Sequence, residues 1–194
     1  MNEHQLLDRR IQRTRQLLQE ALFHLIIDRP YDSVTIQDIT EQANLGRTTF
    51  YLHYRDKEDL LRESIKALLH DLQCDVEPDT GEACTYHISS VRIFQHVAQR
   101  QQLYRAMLKE TGSTINLGDL MRGYFTELFH QASLQEPQKR RCSSFASSEI
   151  FAAHAAGSLF GLLSWWLDHG VSPSPEQMGM IYHRLMTHES EDLP

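Results

Sequence analysis

The sequence predicts an all-α protein in two parts. Apolar residues recur at helical spacing along most of the chain, and no segment of any length alternates as a strand does. An acidic, aperiodic stretch from Gln73 to Thr85, holding Pro78 and Gly81, divides the two helical halves. The expected parts are residues 1–72 and 73–194, with no internal repeat.

In the first part, Ile11, Leu18, Leu22 and Leu25 mark one face of an amphipathic helix. It should end near Asp28, because Pro30 disfavours helix in the residue before it. Tyr31 and Val34 are apolar anchors in the connection that follows. Thr35 is a good N-cap with Asp38 three residues on, close to a capping box for a helix from Ile36 to Ala43. Asn44 tolerates positive φ and closes that helix. Gly46 opens the next one, whose buried face carries Phe50 and Tyr54. Asp56 caps a fourth helix through about Leu72, with Leu60, Leu61, Ile65, Leu68 and Leu69 as its apolar stripe.

In the second part, helices are expected over roughly Ser89–Arg100, Leu103–Lys109 and Leu117–Gln131. Glu136–Ser144, with Pro137 and the run Lys139, Arg140, Arg141, reads as a loop. A long helix from about Phe145 to His169 follows. Ser174 and Pro175 then supply the cap and first position of a last helix to about Thr187. From Ile150 to Leu167 there is no Asp, Glu, Lys or Arg, which permits a membrane span. The interrupting His154, Ser158 and Ser164 and the acidic flanks Glu149 and Asp168 oppose it, so a helix buried all round is the better reading.

The composition, 41% hydrophobic and 23% charged over 194 residues, suits a globular protein with a core. Met1 to Arg15 is too polar for a secretory signal, and the three cysteines (Cys74, Cys84, Cys142) form no close pair. The expectation is a protein of the reducing cytoplasm. The net charge of −7 argues mildly against nucleic acid as a partner. Its distribution softens that: Arg9–Lys57 holds eight Lys/Arg against six Asp/Glu, whereas Gln73–Pro194 holds nine against fourteen. No nucleophile–base pair or phosphate loop argues for an enzyme, and no catalytic residue or cofactor is assigned. The eleven histidines lack ligand spacing: His183 and His188 are five apart, His87 and His96 nine. No metal site is expected.

The chemistry concentrates between Val34 and Leu61. Two short helices, a tight turn and an outward polar set make a helix-turn-helix. With Phe50 and Tyr54 inward, Arg47, Thr48, Thr49, Tyr51 and His53 are left outside. Arg47 suits a guanine edge and the threonine methyls suit thymine methyls. Tyr51, His53 and Lys57 suit phosphates, and Gln37 can reach a base or the backbone. Three-helix bundles of other kinds also yield this bare pattern.

The residues themselves narrow it. Val34-Thr35, Ala43, Thr49-Phe50-Tyr51-Leu52-His53-Tyr54 and Lys57-Glu58-Asp59-Leu60-Leu61 resemble the N-terminal DNA-binding domain of the TetR family of transcriptional regulators. The resemblance covers about Arg9 to Leu69. One departure is Gly46, where many members carry a serine that would cap the reading helix. The resemblance implies an all-α fold: an N-terminal three-helix helix-turn-helix domain plus a C-terminal helical ligand-binding and dimerisation domain. It implies a homodimer, usually a repressor, on a pseudo-palindromic double-stranded DNA operator, released by a small-molecule effector that is not named by the sequence. A fold of this kind acting through a protein partner, with little DNA affinity of its own, is the alternative that the acidic C-terminal half leaves open.

Aromatics and methionines cluster in the middle helices. Phe94, Tyr104, Met107, Met121, Tyr124 and Phe125, with Trp166, are the candidate effector lining, although residues of this kind are more often the material of an ordinary core. Ala153, Gly157 and Gly161 lie four apart and would let a second helix approach closely. With Met178, Ile181 and Leu185 of the last helix they are the candidate dimer interface, by analogy with the final two helices of TetR-like dimers.

Overall fold

A computed structural model describes residues 3–70, 72, 85–109, 115–135 and 147–187 of the chain. Among them are nine α-helices and no strand: α1 (Glu3–Asp28), α2 (Ile36–Gln42), α3 (Arg47–His53), α4 (Lys57–His70), α5 (Thr85–Gln99), α6 (Gln101–Lys109), α7 (Leu117–Gln135), α8 (Ser148–Asp168) and α9 (Pro175–Thr187). A single 3-10 turn, Tyr31–Ser33, links α1 to α2. The three cysteines, the basic run at Lys139 and His188 lie outside the described residues. The helices fall into two compact units, one of α1 to α4 and the other of α5 to α9.

In the first unit the expected start and stop signals are all in use. The Thr35 backbone N–H and its hydroxyl donate to Asp38 Oδ2 at 2.8 and 2.7 Å. The Asp38 N–H donates back to Thr35 Oγ1 at 3.2 Å, completing the capping box. Arg29 adds an ion pair to the same carboxylate at 2.9 Å. Asn44 takes φ 52, the left-handed residue that turns the chain between α2 and α3. Asp56 Oδ1 accepts from the Asp59 N–H at 2.8 Å at the start of α4. Leu18, Leu22, Ile39, Phe50, Leu60, Leu61 and Ile65 fill the centre.

These hydrogen bonds hold the Asp38 carboxyl down to about 2, chiefly through the Thr35 side chain and backbone, with Arg29 assisting. A carboxyl depressed on folding stabilises the fold above its unfolded value of 3.8 and loses that contribution as pH falls from there to about 2. Acid titration of the melting temperature is expected to show this loss in the native chain. Asp38→Asn should melt lower at neutral pH and lose less between those two values. Parallel acid profiles for the two proteins would exclude the box as a stabilising element.

In the second unit α5 packs on α9, and α7 on α8. Phe94 meets Trp166 edge-on at 5.2 Å, Phe125 meets Phe160 at 6.1 Å, and Tyr182 lies between Phe94 and Phe129. The buried polar tips find backbone partners: Trp166 Nε1–H donates to Pro173 O at 2.7 Å, and the Tyr182 hydroxyl to Ala155 O at 2.8 Å. The α8–α9 turn uses left-handed backbone at Gly170 (φ 76) and Val171 (φ 63). For a β-branched residue such a conformation costs on the order of 1–3 kcal/mol.

Three helix boundaries in the second unit differ from the sequence expectation by three residues or more. α5 starts at Thr85 instead of Ser89. α7 continues to Gln135, because Ala132, Ser133 and Leu134 contain no breaker and the Ser133 hydroxyl satisfies His130 O at 2.7 Å. α8 starts at Ser148, since Ser147 is its N-cap and accepts from the Ile150 N–H at 3.4 Å. α8 is long and apolar enough to cross a membrane by length and composition. Ala152, Ala155, Ala156, Leu159, Phe160, Leu163, Trp166 and Leu167 are nevertheless buried within the unit, which makes it the unit's core helix.

Candidate nucleic-acid interface and effector domain

Helix α3 is short because its sequence begins with a glycine and ends in an extended tyrosine. Gly46 is the N-cap at φ −81, ψ 151, and Tyr54 leaves the helix at φ −139. A Cβ at position 46 would meet nothing within 4 Å, so a serine would fit there; Gly46 caps the helix without a side-chain hydrogen bond. Phe50 is fully buried, packed edge-on to Tyr51 at 5.4 Å and tilted against Tyr54 at 5.9 Å. This anchoring turns Arg47, Thr48, Tyr51 and Leu52 to solvent, with Thr49 and His53 on the half-buried margin.

The expected reading residues occupy distinct settings. Arg47 is exposed and makes no ion pair among the described residues. Tyr51 is 55% exposed, with its ring braced on Phe50. Gln37 is exposed at the first turn of α2, and its amide donates to Glu41 Oε1 at 2.8 Å. His53 is pushed below the usual histidine range by burial, and secondarily by the nearby Arg15 cation. Arg15 also lies over Tyr54, whose hydroxyl accepts from Gln19 at 3.4 Å, so α1 and the end of α3 are tied together.

Lys57 sits elsewhere than on an open surface. Its ammonium donates to Tyr31 O at 2.8 Å and Val34 O at 2.6 Å, and stands 4.1 Å from the Tyr31 ring. It pins the α1–α2 connection to the start of α4 and so holds α2 in place behind the turn. Leu52 is the residue that sequence reasoning passed over. It is 77% exposed, more than any other large hydrophobic side chain among the described residues. The signal was available, since Leu52 lies two residues from the buried Phe50.

In the second unit Phe94, Tyr104, Met107, Met121, Phe125 and Trp166 are all buried, and Tyr124 is half-buried. The Tyr104 hydroxyl meets no hydrogen-bond partner among the described residues, and burial pushes it well above the usual tyrosine range. The His96 ring stands edge-on to it at 5.8 Å. On the outside of α8, Ile150, Ala153, Gly157, Gly161 and Trp165 share one exposed face. Met180, Ile181 and Leu185 are exposed on α9, with Leu185 at 61%. Met178 is buried within the second unit, where it seats α9. Among the described residues no group of three His, Cys, Asp or Glu side chains could hold a metal ion.

A buried three-helix core that presents a short outward helix, followed by a second unit that is helical among the described residues, is the architecture of a helix-turn-helix protein. Residues 18–64 match the sequence model of the bacterial regulatory proteins of the tetR family, and residues 85–188 match that of a transcriptional regulator C-terminal region. The chain belongs to the TetR family of transcriptional regulators. It is 25% identical over 174 residues to the HTH-type transcriptional regulator YxbF of Bacillus subtilis, a match covering 88% of this chain and 43% of that protein. The chain thus spans less than half the length of that relative. A TetR regulator from Streptococcus agalactiae superposes with a TM-score of 0.68 at 25% identity, covering 95% of this chain and 99% of that one. FadR of Bacillus subtilis, solved in complex with stearoyl-CoA, has the same fold, with a TM-score of 0.69 at 15% identity over 89% of this chain and 97% of that one.

Proposed function

We propose that the protein is a cytoplasmic repressor that binds a pseudo-palindromic operator as a homodimer and leaves it when a small molecule enters the second unit. The observation that carries the reading is the outward face of α3, with Arg47 unpaired among the described residues and Tyr51 braced for contact. Arg47, Thr48 and Thr49 address base edges, and Tyr51, His53 and Gln37 address the backbone and its margins. Lys57 contributes through the scaffold, whatever phosphate it meets besides.

The exposed apolar face of α8 and α9 supports dimerisation, since Gly157 and Gly161 have nothing within 4 Å of an added Cβ and leave room for a partner helix. A two-fold dimer would place two copies of α3 on half-sites roughly 34–36 Å apart. An aromatic interior in which the Tyr104 hydroxyl meets no hydrogen-bond partner among the described residues supports an apolar effector carrying a hydrogen-bond acceptor. Effector and operator are then coupled through the spacing of the reading helices.

A gel shift with DNA flanking the chain's own gene tests this reading. The wild-type chain should shift that DNA as a dimer. Gly161→Glu should sediment as a monomer and shift it only at much higher concentration. A monomeric wild-type chain with full DNA affinity would refute the dimeric arrangement.

A further inference from the structure

Resting on the assignment of α3 as the reading helix, we propose that Thr48 and Leu52 form a methyl-reading patch that takes the C5-methyl of a thymine in each half-site. Thr48 and Leu52 flank Phe50 two residues to either side. At 100° per residue each lies about 160° from Phe50, so together they straddle the point opposite the buried anchor. Arg47 and Tyr51 flank this centre on one side, and Thr49 and His53 on the other. A short helix anchored by Phe50 and laid in a groove therefore offers Thr48 and Leu52 to the groove floor, with Tyr51 and His53 toward its walls.

The chemistry of that centre is apolar. Leu52 has no hydrogen-bonding atom in its side chain, and it is 77% exposed. Thr48 adds a methyl one turn away, at the i,i+4 spacing that brings side chains together on a helix. In the major groove the thymine methyl is the apolar group on a base edge. Arg47 beside the patch favours a phosphate-rich polyanion over an apolar protein surface as the occupant. Leu52 thereby sets specificity at a position where Arg47 and the threonine hydroxyls cannot.

The test begins with selection of binding sites for the full-length chain from random-sequence duplex DNA. Each thymine of the selected site is then replaced singly by deoxyuridine, which removes one methyl group and no hydrogen bond. At one thymine per half-site the replacement should weaken wild-type binding about fourfold, the value of one buried methyl group. Leu52→Ala should bind the thymine and uracil sites alike at that position while keeping the wild-type melting temperature. Leu52→Met, apolar and of similar volume, should retain the discrimination. Uracil scans that superimpose for wild type and Leu52→Ala would overturn the proposal, including the case in which Leu52 serves a protein partner. Failure to select any site would instead remove the underlying assignment of α3, so the two failures are distinguishable.

Discussion

Gly179→Ala is expected to unseat α9 from α5 and lower the stability of the protein by about 3 kcal/mol, the upper end of what overpacking costs. A Cβ at position 179 would lie 2.5 Å from Val91 Cα, 2.6 Å from its Cγ2 and 2.7 Å from its N. Two of those three atoms are backbone, so no rotamer change relieves the clash and the helices must part. The melting temperature should fall by roughly 10 °C for a chain of this length. Gly123→Ala is the matched control, since its added Cβ meets nothing within 4 Å in the interior of α7. There the higher helix propensity of alanine should raise stability by up to about 1 kcal/mol. Opposite signs for the two substitutions, read by thermal melting of the far-UV signal, would establish the α5–α9 crossing at Val91. A Gly179→Ala protein as stable as the parent would place α9 elsewhere.

The second large effect separates holding the reading helix from reading. Phe50→Ala should cost about 3–5 kcal/mol, because a fully buried ring leaves a cavity between α3 and the rest of the first unit. DNA binding is lost with the fold. Arg47→Ala should lose DNA binding as well, by about 10- to 100-fold for a bidentate base contact. Its own melting should stay within about 0.5 kcal/mol of wild type, since the side chain is exposed. Combined melting and anisotropy titrations sort the two. An Arg47→Ala protein with unchanged affinity would take Arg47 out of the interface.

Much of the first unit was legible in the sequence because its signals are local. The Thr35–Asp38 box, Asn44 at positive φ, the Asp56 cap and the inward Phe50 and Tyr54 each depend on neighbours within four residues. Most of what escaped depends on distance. The role of Lys57 is set by carbonyls 23 and 26 residues upstream. Gly179 gives no periodic signal, because a close approach to Val91 is a property of the partner helix. Leu52 stands in the middle of the recognised motif, yet only the position of Phe50 on the helix wheel shows that it centres the exposed face.

The second unit was less legible for a related reason. Helical periodicity identifies an apolar face without saying what covers it. Met178 and Ile181 are both apolar residues of α9, yet the first is buried within the second unit and the second is 40% exposed. Trp165 and Trp166 divide likewise, one 47% exposed and stacked on His169, the other buried against Phe94. Six of the seven candidate effector-lining residues are buried, which an apolar pocket and a packed core both require.

The outward face of α3 is expected to bind duplex DNA. That expectation is tested most directly by measuring the affinity of the full chain for labelled duplex across a range of salt concentrations. Log K should fall linearly with log salt, by about 0.9 per phosphate neutralised by a Lys or Arg side chain. Tyr51→Ala should weaken binding at every salt concentration with an unchanged slope, because a neutral hydroxyl releases no counterion. Absence of salt-dependent binding to any duplex, by a chain that is folded, would contradict the expectation.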